Sequence, residues 1–387
     1  MAAMIGDESL IKFLHMVGAK PNIQDKLERT ALHLATENGH MKTVDFLTEK
    51  FRASVHERTK DGSTLMHLAS AAGHPGTAMV FMKKGVALHM PNKAGAKPIH
   101  MAASRGHGEV VKAIVQRGEH VDSKTNEGYT ALHIAVQSGH ADVVEALIGM
   151  GAAVQQKAGA NGETPLHTAS RIPNGRACVE MLAKSGAQIN ATEASGEAPL
   201  HFAARAGFLD TVNLLLEDRA DPRMRNVAGE NVLHIAVKES KADIVKRIIQ
   251  YMNETTSKKN ATELVNQPTV AGESSVHYAA NLTVKNVNYE GEDRDIMRIL
   301  LETGGNSFLE TSEKAEIPVH YCSKSGNTNT LQEIIGFLQP IDAQLVCNKP
   351  DRSGWTPLFY ACSRGHADVI KMLLNQNARV DVFDEVC

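Results

Sequence analysis

Apolar positions recur along this chain in two short runs per cycle, and a polar, turn-forming stretch closes each cycle. The first run covers roughly two helical turns, as from Ala31 to Gly39, and ends where a glycine fits a left-handed helix stop. The second carries Val44, Phe46 and Leu47 in one copy, and Val143, Val144, Ala146, Leu147 and Ile148 in another. That spacing predicts a helix with one apolar face. A segment such as Gly186-Ala-Gln-Ile-Asn190 follows, with the composition of a projecting turn.

Histidine marks the cycle in nine copies, at His33, His67, His100, His133, His167, His201, His234, His277 and His320, and Phe359 takes the slot in a tenth. Successive intervals are 34, 33, 33, 34, 34, 33, 43, 43 and 39 residues. Three residues earlier, Thr30, Thr130 and Thr164 stand where a helix begins, and a threonine hydroxyl there accepts an otherwise unpaired N–H. Pro98, Pro165, Pro199, Pro318 and Pro357 take the next position, the first helical residue, where a missing N–H costs nothing. Gly39, Gly73, Gly106, Gly139, Gly207 and Gly365 follow as helix stops. Two short helices and a turn cannot bury their own apolar face, so each unit needs a stacked neighbour.

This is similar to the ankyrin repeat pattern, and the resemblance covers essentially the whole chain. The expected fold is an all-α ankyrin repeat solenoid over 1–387, one continuous array of about ten full repeats plus a partial repeat at each end. A solenoid escapes the size limit of a single globular core because each repeat touches only its neighbours. A formal charge of −3 and 4% aromatic residues give poor material for nucleic-acid binding. No apolar stretch is long enough for a membrane span, so no transmembrane segment is expected in this chain. The five cysteines (Cys178, Cys322, Cys347, Cys362 and Cys387) lack paired spacing. Cys322 and Cys362 are expected to be buried thiols in first helices. The Asn-x-Ser/Thr triplets at Asn190, Asn253, Asn260 and Asn281 are read as chance occurrences.

Gly6 precedes Gly39 by 33 residues, which places Met1 just after the slot of a motif histidine. The chain is therefore expected to be a segment of a longer array, with terminal repeats that fray. The period is broken by irregular insertions near 251–264, 282–293 and 338–346, the first in a polar stretch expected to be turn-rich. Such insertions are read either as binding loops or as solvated drift. Lys258, Lys259 and Tyr289 lie in them, and Leu27, Tyr129 and Trp355 lie beside turn glycines. These six are the candidate partner-binding residues.

Eighteen histidines suggest metal, with His33/His40, His67/His74, His100/His107 and His133/His140 each seven apart. A glycine stop separates each pair, and no cysteine joins them, so the ring is assigned to bonding within and between repeats. No phosphate-cradling loop, nucleophile elbow or paired-cysteine motif is present. No catalytic residue, metal site or cofactor is expected.

The irregular copies Ala271-Gly-Glu-Ser-Ser-Val-His-Tyr-Ala-Ala280, Glu316-Ile-Pro-Val-His-Tyr-Cys-Ser-Lys-Ser-Gly326 and Thr168-Ala-Ser-Arg-Ile-Pro-Asn-Gly175 resemble those of the TRPN-type mechanosensory cation channels of the transient receptor potential superfamily. The resemblance implies an elastic tether on the cytoplasmic side of the plasma membrane, carrying gating force from microtubules or other cytoskeletal proteins. It also implies neighbouring arrays in a homotetrameric channel. The alternative is an ankyrin-type adaptor scaffold that binds peptide or membrane-protein partners on a concave face.

Overall fold

The computed structural model describes residues 1–283 and 291–380, which fall into two compact units, 1–194 and 195–387. In the first unit, α1 (Ala2–Ile5) and α2 (Glu8–Met16) precede five helix pairs. These are α3 (Ala31–Glu37) with α4 (Met41–Glu49), α5 (Leu65–Ala71) with α6 (Pro75–Lys83), α7 (Pro98–Ser104) with α8 (Gly108–Gln116), α9 (Ala131–Gln137) with α10 (Ala141–Gly149), and α11 (Pro165–Ser170) with α12 (Arg176–Lys184). First helices pack on first helices, as α5 on α7 and α7 on α9, and second on second, as α8 on α10. The core between them is built from small wedges such as Ala35, Ala69 and Ala135, with Leu32, Leu65 and Leu132 fully buried. Each such leucine contributes roughly 1.5–3 kcal/mol relative to an exposed one.

The second unit repeats the plan with α13 (Pro199–Ala206), α14 (Leu209–Glu217), α15 (Val232–Lys238), α16 (Ala242–Thr255), α17 (Lys258–Asn266), α18 (Ser275–Ala280), α19 (Glu292–Glu302), α20 (Pro318–Ser325), α21 (Thr328–Phe337), α22 (Pro340–Asn348), α23 (Pro357–Arg364) and α24 (Ala367–Asn375). Five pairs are again present among the described residues, and α17 and α22 are additional. β-Pairing among the described residues amounts to two isolated bridges, Lys124 with Thr130 and Ala158 with Glu163, both in the first unit. The fold is the expected all-α ankyrin solenoid.

Two of the three insertions are helical, and the first of them departs from its turn-rich reading. The stretch from Tyr251 extends α16 to 14 residues and then forms α17, capped by the Ser257 hydroxyl and burying Ala261, Leu264 and Val265. The segment at 338–346 forms α22, opened by Pro340 and burying Ala343, Val346 and Cys347. Both triads fall at i, i+3 and i+4, one helix face, and that face outweighs the polar residues between. The third insertion lies largely outside the described residues. Cys322 is fully buried as expected, whereas Cys362 is exposed. Within each unit first helices pack against a following one, as α3 on α5 and α20 on α23, and no such helix follows α24 among the described residues.

Candidate functional site

The motif histidine sits at the third position of each first helix and turns its ring back to the helix start. There Nδ1 accepts the backbone N–H of the capping residue, at 3.0 Å from Thr30 to His33 and 3.0 Å from Thr64 to His67. Where the cap is Lys97, Ala198 or Ile317, with no acceptor side chain, this half of the box persists at 2.9, 3.2 and 3.1 Å. An accepting Nδ1 leaves the proton on Nε2. That N–H donates to a carbonyl of the following turn: His67 to Ala96 (2.9 Å), His100 to Ser123 (2.8 Å), His201 to Met224 (3.1 Å), His277 to Glu316 (3.2 Å) and His320 to Trp355 (3.3 Å). Burial holds the rings of His133, His234 and His277 down at about 4, so they are neutral at pH 7. The ring does the structural bonding that its sequence position suggests. Among the described residues, no group of three metal-binding side chains is gathered.

The second histidine series bonds between repeats, as the sequence reading assigned it, and its packing on glycine is what that reading missed. His40, His107, His140 and His366 reach back to the carbonyls of Met4, Ala71, Ser104 and Lys324, at 2.9, 3.1, 3.2 and 3.2 Å. Their rings lie on the helix-stop glycines of the preceding repeat. A Cβ on Gly39 would stand 2.6 Å from the His74 ring, and one on Gly73 2.4 Å from His107. Those glycines have φ of 70° and 72°, so the position needs glycine for its backbone and for the approach of the next repeat. A signal existed in the recurring Gly-His pair, but its partner lies 36 to 42 residues away.

Turn joins turn through the main chain. Lys60 N–H donates to Leu27 O (2.9 Å), Lys93 to Asp61 (3.0 Å), Asn126 to Ala94 (3.2 Å) and Gly159 to Glu127 (2.9 Å) in the first unit. Val270 to Ala228 (3.0 Å), Ser312 to Ala271 (2.9 Å) and Arg352 to Lys314 (2.7 Å) continue the pattern in the second.

The six candidate partner-binding residues do not form one site. Leu27 remains exposed on a turn and borders a cleft with Arg29, Glu37 and Leu68. Tyr129 is half-buried, its hydroxyl resting where a Cβ on Gly159 would stand 2.7 Å away. Trp355 is half-buried too, with its ring 4.6 Å from that of Phe359. Lys258 opens α17 and lines a groove of about 730 Å³ with Lys246, Glu254 and Glu302. Lys259 points to solvent, 3.9 Å from Glu263. Tyr289 lies outside the described residues.

A polar constellation that recurs from repeat to repeat is a ladder of glutamates and tyrosines in the second unit. Tyr278 donates its hydroxyl to Glu230 (2.8 Å), Tyr321 to Glu273 (2.7 Å), and Tyr360 to Glu316 (3.1 Å) and Asp351 (2.8 Å). The same rings meet the preceding motif histidines edge-on, at centroid distances of 5.2, 5.3 and 5.9 Å. Burial and the facing carboxylates push all three hydroxyls above the usual tyrosine value. Against the opposing effect of burial, bonds from Asn226 and Tyr278 hold Glu230 below the ordinary carboxylate value. The clue was the twice-written Glu-x-x-x-His-Tyr, at Glu273 to Tyr278 and Glu316 to Tyr321.

Human Transient receptor potential cation channel subfamily A member 1 is 26% identical over 217 residues, covering 56% of this chain and 18% of that protein. Its Drosophila melanogaster counterpart is 24% identical over 217 residues, covering 56% of this chain and 17% of that protein. The chain thus spans less than a fifth of these relatives' length. Among solved structures, the human ASB11 ankyrin repeat domain superposes with a TM-score of 0.51 at 27% identity, over 57% of this chain and 97% of that domain. The family description "Ankyrin repeats (3 copies)" matches residues 1–92, 77–158, 150–226, 200–289 and 287–384. With nearly the full sequence matched and the helix pairs in place, the chain belongs to the ankyrin repeat family.

Proposed function

We propose that the chain is a non-catalytic elastic tether and protein-interaction array of a mechanosensory cation channel of the transient receptor potential type. In this reading it links the channel to microtubules or other cytoskeletal proteins on the cytoplasmic side of the plasma membrane, beside the arrays of a homotetramer. The observation that carries the reading is the 217-residue similarity to a transient receptor potential cation channel. It is supported by the repetition of interfaces within each unit, where turn-to-turn main-chain bonds and histidine bonds recur from copy to copy. Identical interfaces share a load as many small rotations, so extension need not break any one repeat. Single-molecule pulling of the chain is expected to show reversible low-force extension before any rupture. Abrupt rupture steps alone would overturn the tether. The parent protein in native membranes should also resist carbonate extraction.

The adaptor scaffold is the second reading, favoured by the glutamate–tyrosine ladder of the second unit. On that reading the parent is released by carbonate, and a stoichiometric partner is lost when first-helix residues of the second unit are replaced.

A further inference from the structure

The ladder carries its own cations except at one rung. In the repeat of His234, Glu230 is met eight residues on by Lys238, at 3.3 Å. In the repeat of His320, Glu316 is met by Lys324, at 2.5 Å. The Lys324 ammonium also lies 4.3 Å from the centre of the Tyr360 ring and 5.4 Å from that of Tyr321. An ammonium on a carboxylate and over two aromatic faces is held by charge and by the ring quadrupoles together.

In the repeat between them, the residue eight after Glu273 is Asn281. Glu273 accepts the Tyr321 hydroxyl and makes no ion pair among the described residues. The rest of the geometry is kept. Glu273, Tyr278, Asn281 and Tyr321 take the places that Glu316, Tyr321, Lys324 and Tyr360 take one repeat later. They wall a pocket of about 240 Å³ with Lys238, His277 and Leu282. His277 is kept neutral by burial, its Nε2–H given to Glu316 O. Lys238 is the cation on the pocket wall, and it is engaged by Glu230.

We propose that this pocket binds the ammonium group of a lysine supplied by a partner polypeptide lying along the first helices of the second unit. Lys324 shows, within the same chain, the contacts that such an ammonium makes. The incoming group takes the free side of the Glu273 carboxylate and lies over Tyr321, with Tyr278 beside it. Asn281 contributes a short amide in place of the internal lysine and leaves the carboxylate to the partner. The inference rests on the interaction-array part of the proposed function and is independent of the tether, which is judged by pulling and extraction.

The test uses the whole chain and two probes, acetyl-Gly-Lys-Gly-amide and the same peptide carrying Nε-acetyl-lysine, followed by saturation-transfer NMR at millimolar peptide. Transfer to the lysine methylenes is expected for the first peptide and at least about tenfold weaker binding for the second, as for a lost charge-assisted bond. Two variants should each lose the binding: Glu273→Gln removes the carboxylate, and Asn281→Lys supplies the cation from within. Asn281→Lys should melt no lower than the parent, which separates lost binding from lost folding. Equal binding of the two peptides would overturn the proposal. So would unchanged binding in both variants, or no transfer to the parent chain.

Discussion

In the first unit the residue after the motif histidine is Leu34, Leu68, Met101, Ile134 or Thr168, whereas the second carries Phe202, Ile235, Tyr278, Tyr321 and Tyr360. An aliphatic side chain there needs only shape-matched neighbours. A tyrosine brings a hydroxyl into a half-buried groove and needs an acceptor for it. Glu230, Glu273 and Glu316 supply that acceptor, and two of the three then need a lysine. The five helix pairs follow the same plan in both units, apart from the added α17 and α22, so the first-helix comparison shows what a polar face adds. It creates a chain of dependent bonds in which omitting one member, as at Asn281, changes chemistry without changing the fold.

The largest expected effect tests what the units share. The rings of His133, His234 and His277 sit at about 4, against an ordinary value of 6.5. An unfolded histidine binds protons more readily than these, so their stabilisation is complete above pH 6.5. It is lost as pH falls from there toward 4, by up to about 3 kcal/mol for each ring. Hydrogen exchange resolved by peptide, at pH 7.5 and pH 4.5, should show protection falling in both units. A fall confined to one would mean that the histidine boxes are not equivalent.

Glycine stops that lie under the next repeat's ring come next, set against those that do not. Gly73→Ala adds a Cβ 2.4 Å from the His107 ring at φ 72°, while Gly365→Ala meets nothing within 4 Å at φ 74°. Backbone strain alone costs about 1–2 kcal/mol, and the collision adds roughly 1–3 kcal/mol more. Thermal melting should therefore fall further for the first variant. Equal losses would mean that the ring moves aside freely.

Tyr360→Phe should cost about 1–3 kcal/mol, because Glu316 and Asp351 lose a donor, and urea denaturation should register it only in the second unit. Smallest of all, Lys258→Ser and Lys259→Ser should change stability by less than about 0.5 kcal/mol, since both side chains are exposed.

The local grammar of the fold was readable in the residues. Threonine caps, first-turn prolines, the left-handed turn of the glycine stops and the cap-facing Nδ1 of the motif histidine each act within a few positions of themselves, and each stands where its spacing put it. Longer-range chemistry was not readable in the same way. Tyr278 reaches Glu230 across 48 residues, and His40 reaches Met4 across 36, and the stacking register that joins them is not a property of either segment. The helical insertions are an intermediate case. Ala261, Leu264 and Val265 do mark a helix face, but Thr255, Thr256, Ser257 and Asn260 around the start of that helix read as turn until the apolar triad is set against a neighbour.

The main-chain bonds from turn to turn carry one more implication. A turn that is recognised through its peptide groups accepts any other turn of the same geometry, whatever its side chains. In the first unit a whole copy of 33 or 34 residues is therefore exchangeable: excised or duplicated by recombination, it leaves edges that still mate. The tyrosine-bearing copies have less of that freedom, because each hydroxyl needs a predecessor that carries the matching glutamate. The two halves of the chain thus differ in how they can evolve, one by shuffling copies freely and the other only by placing a tyrosine copy after a glutamate-bearing one.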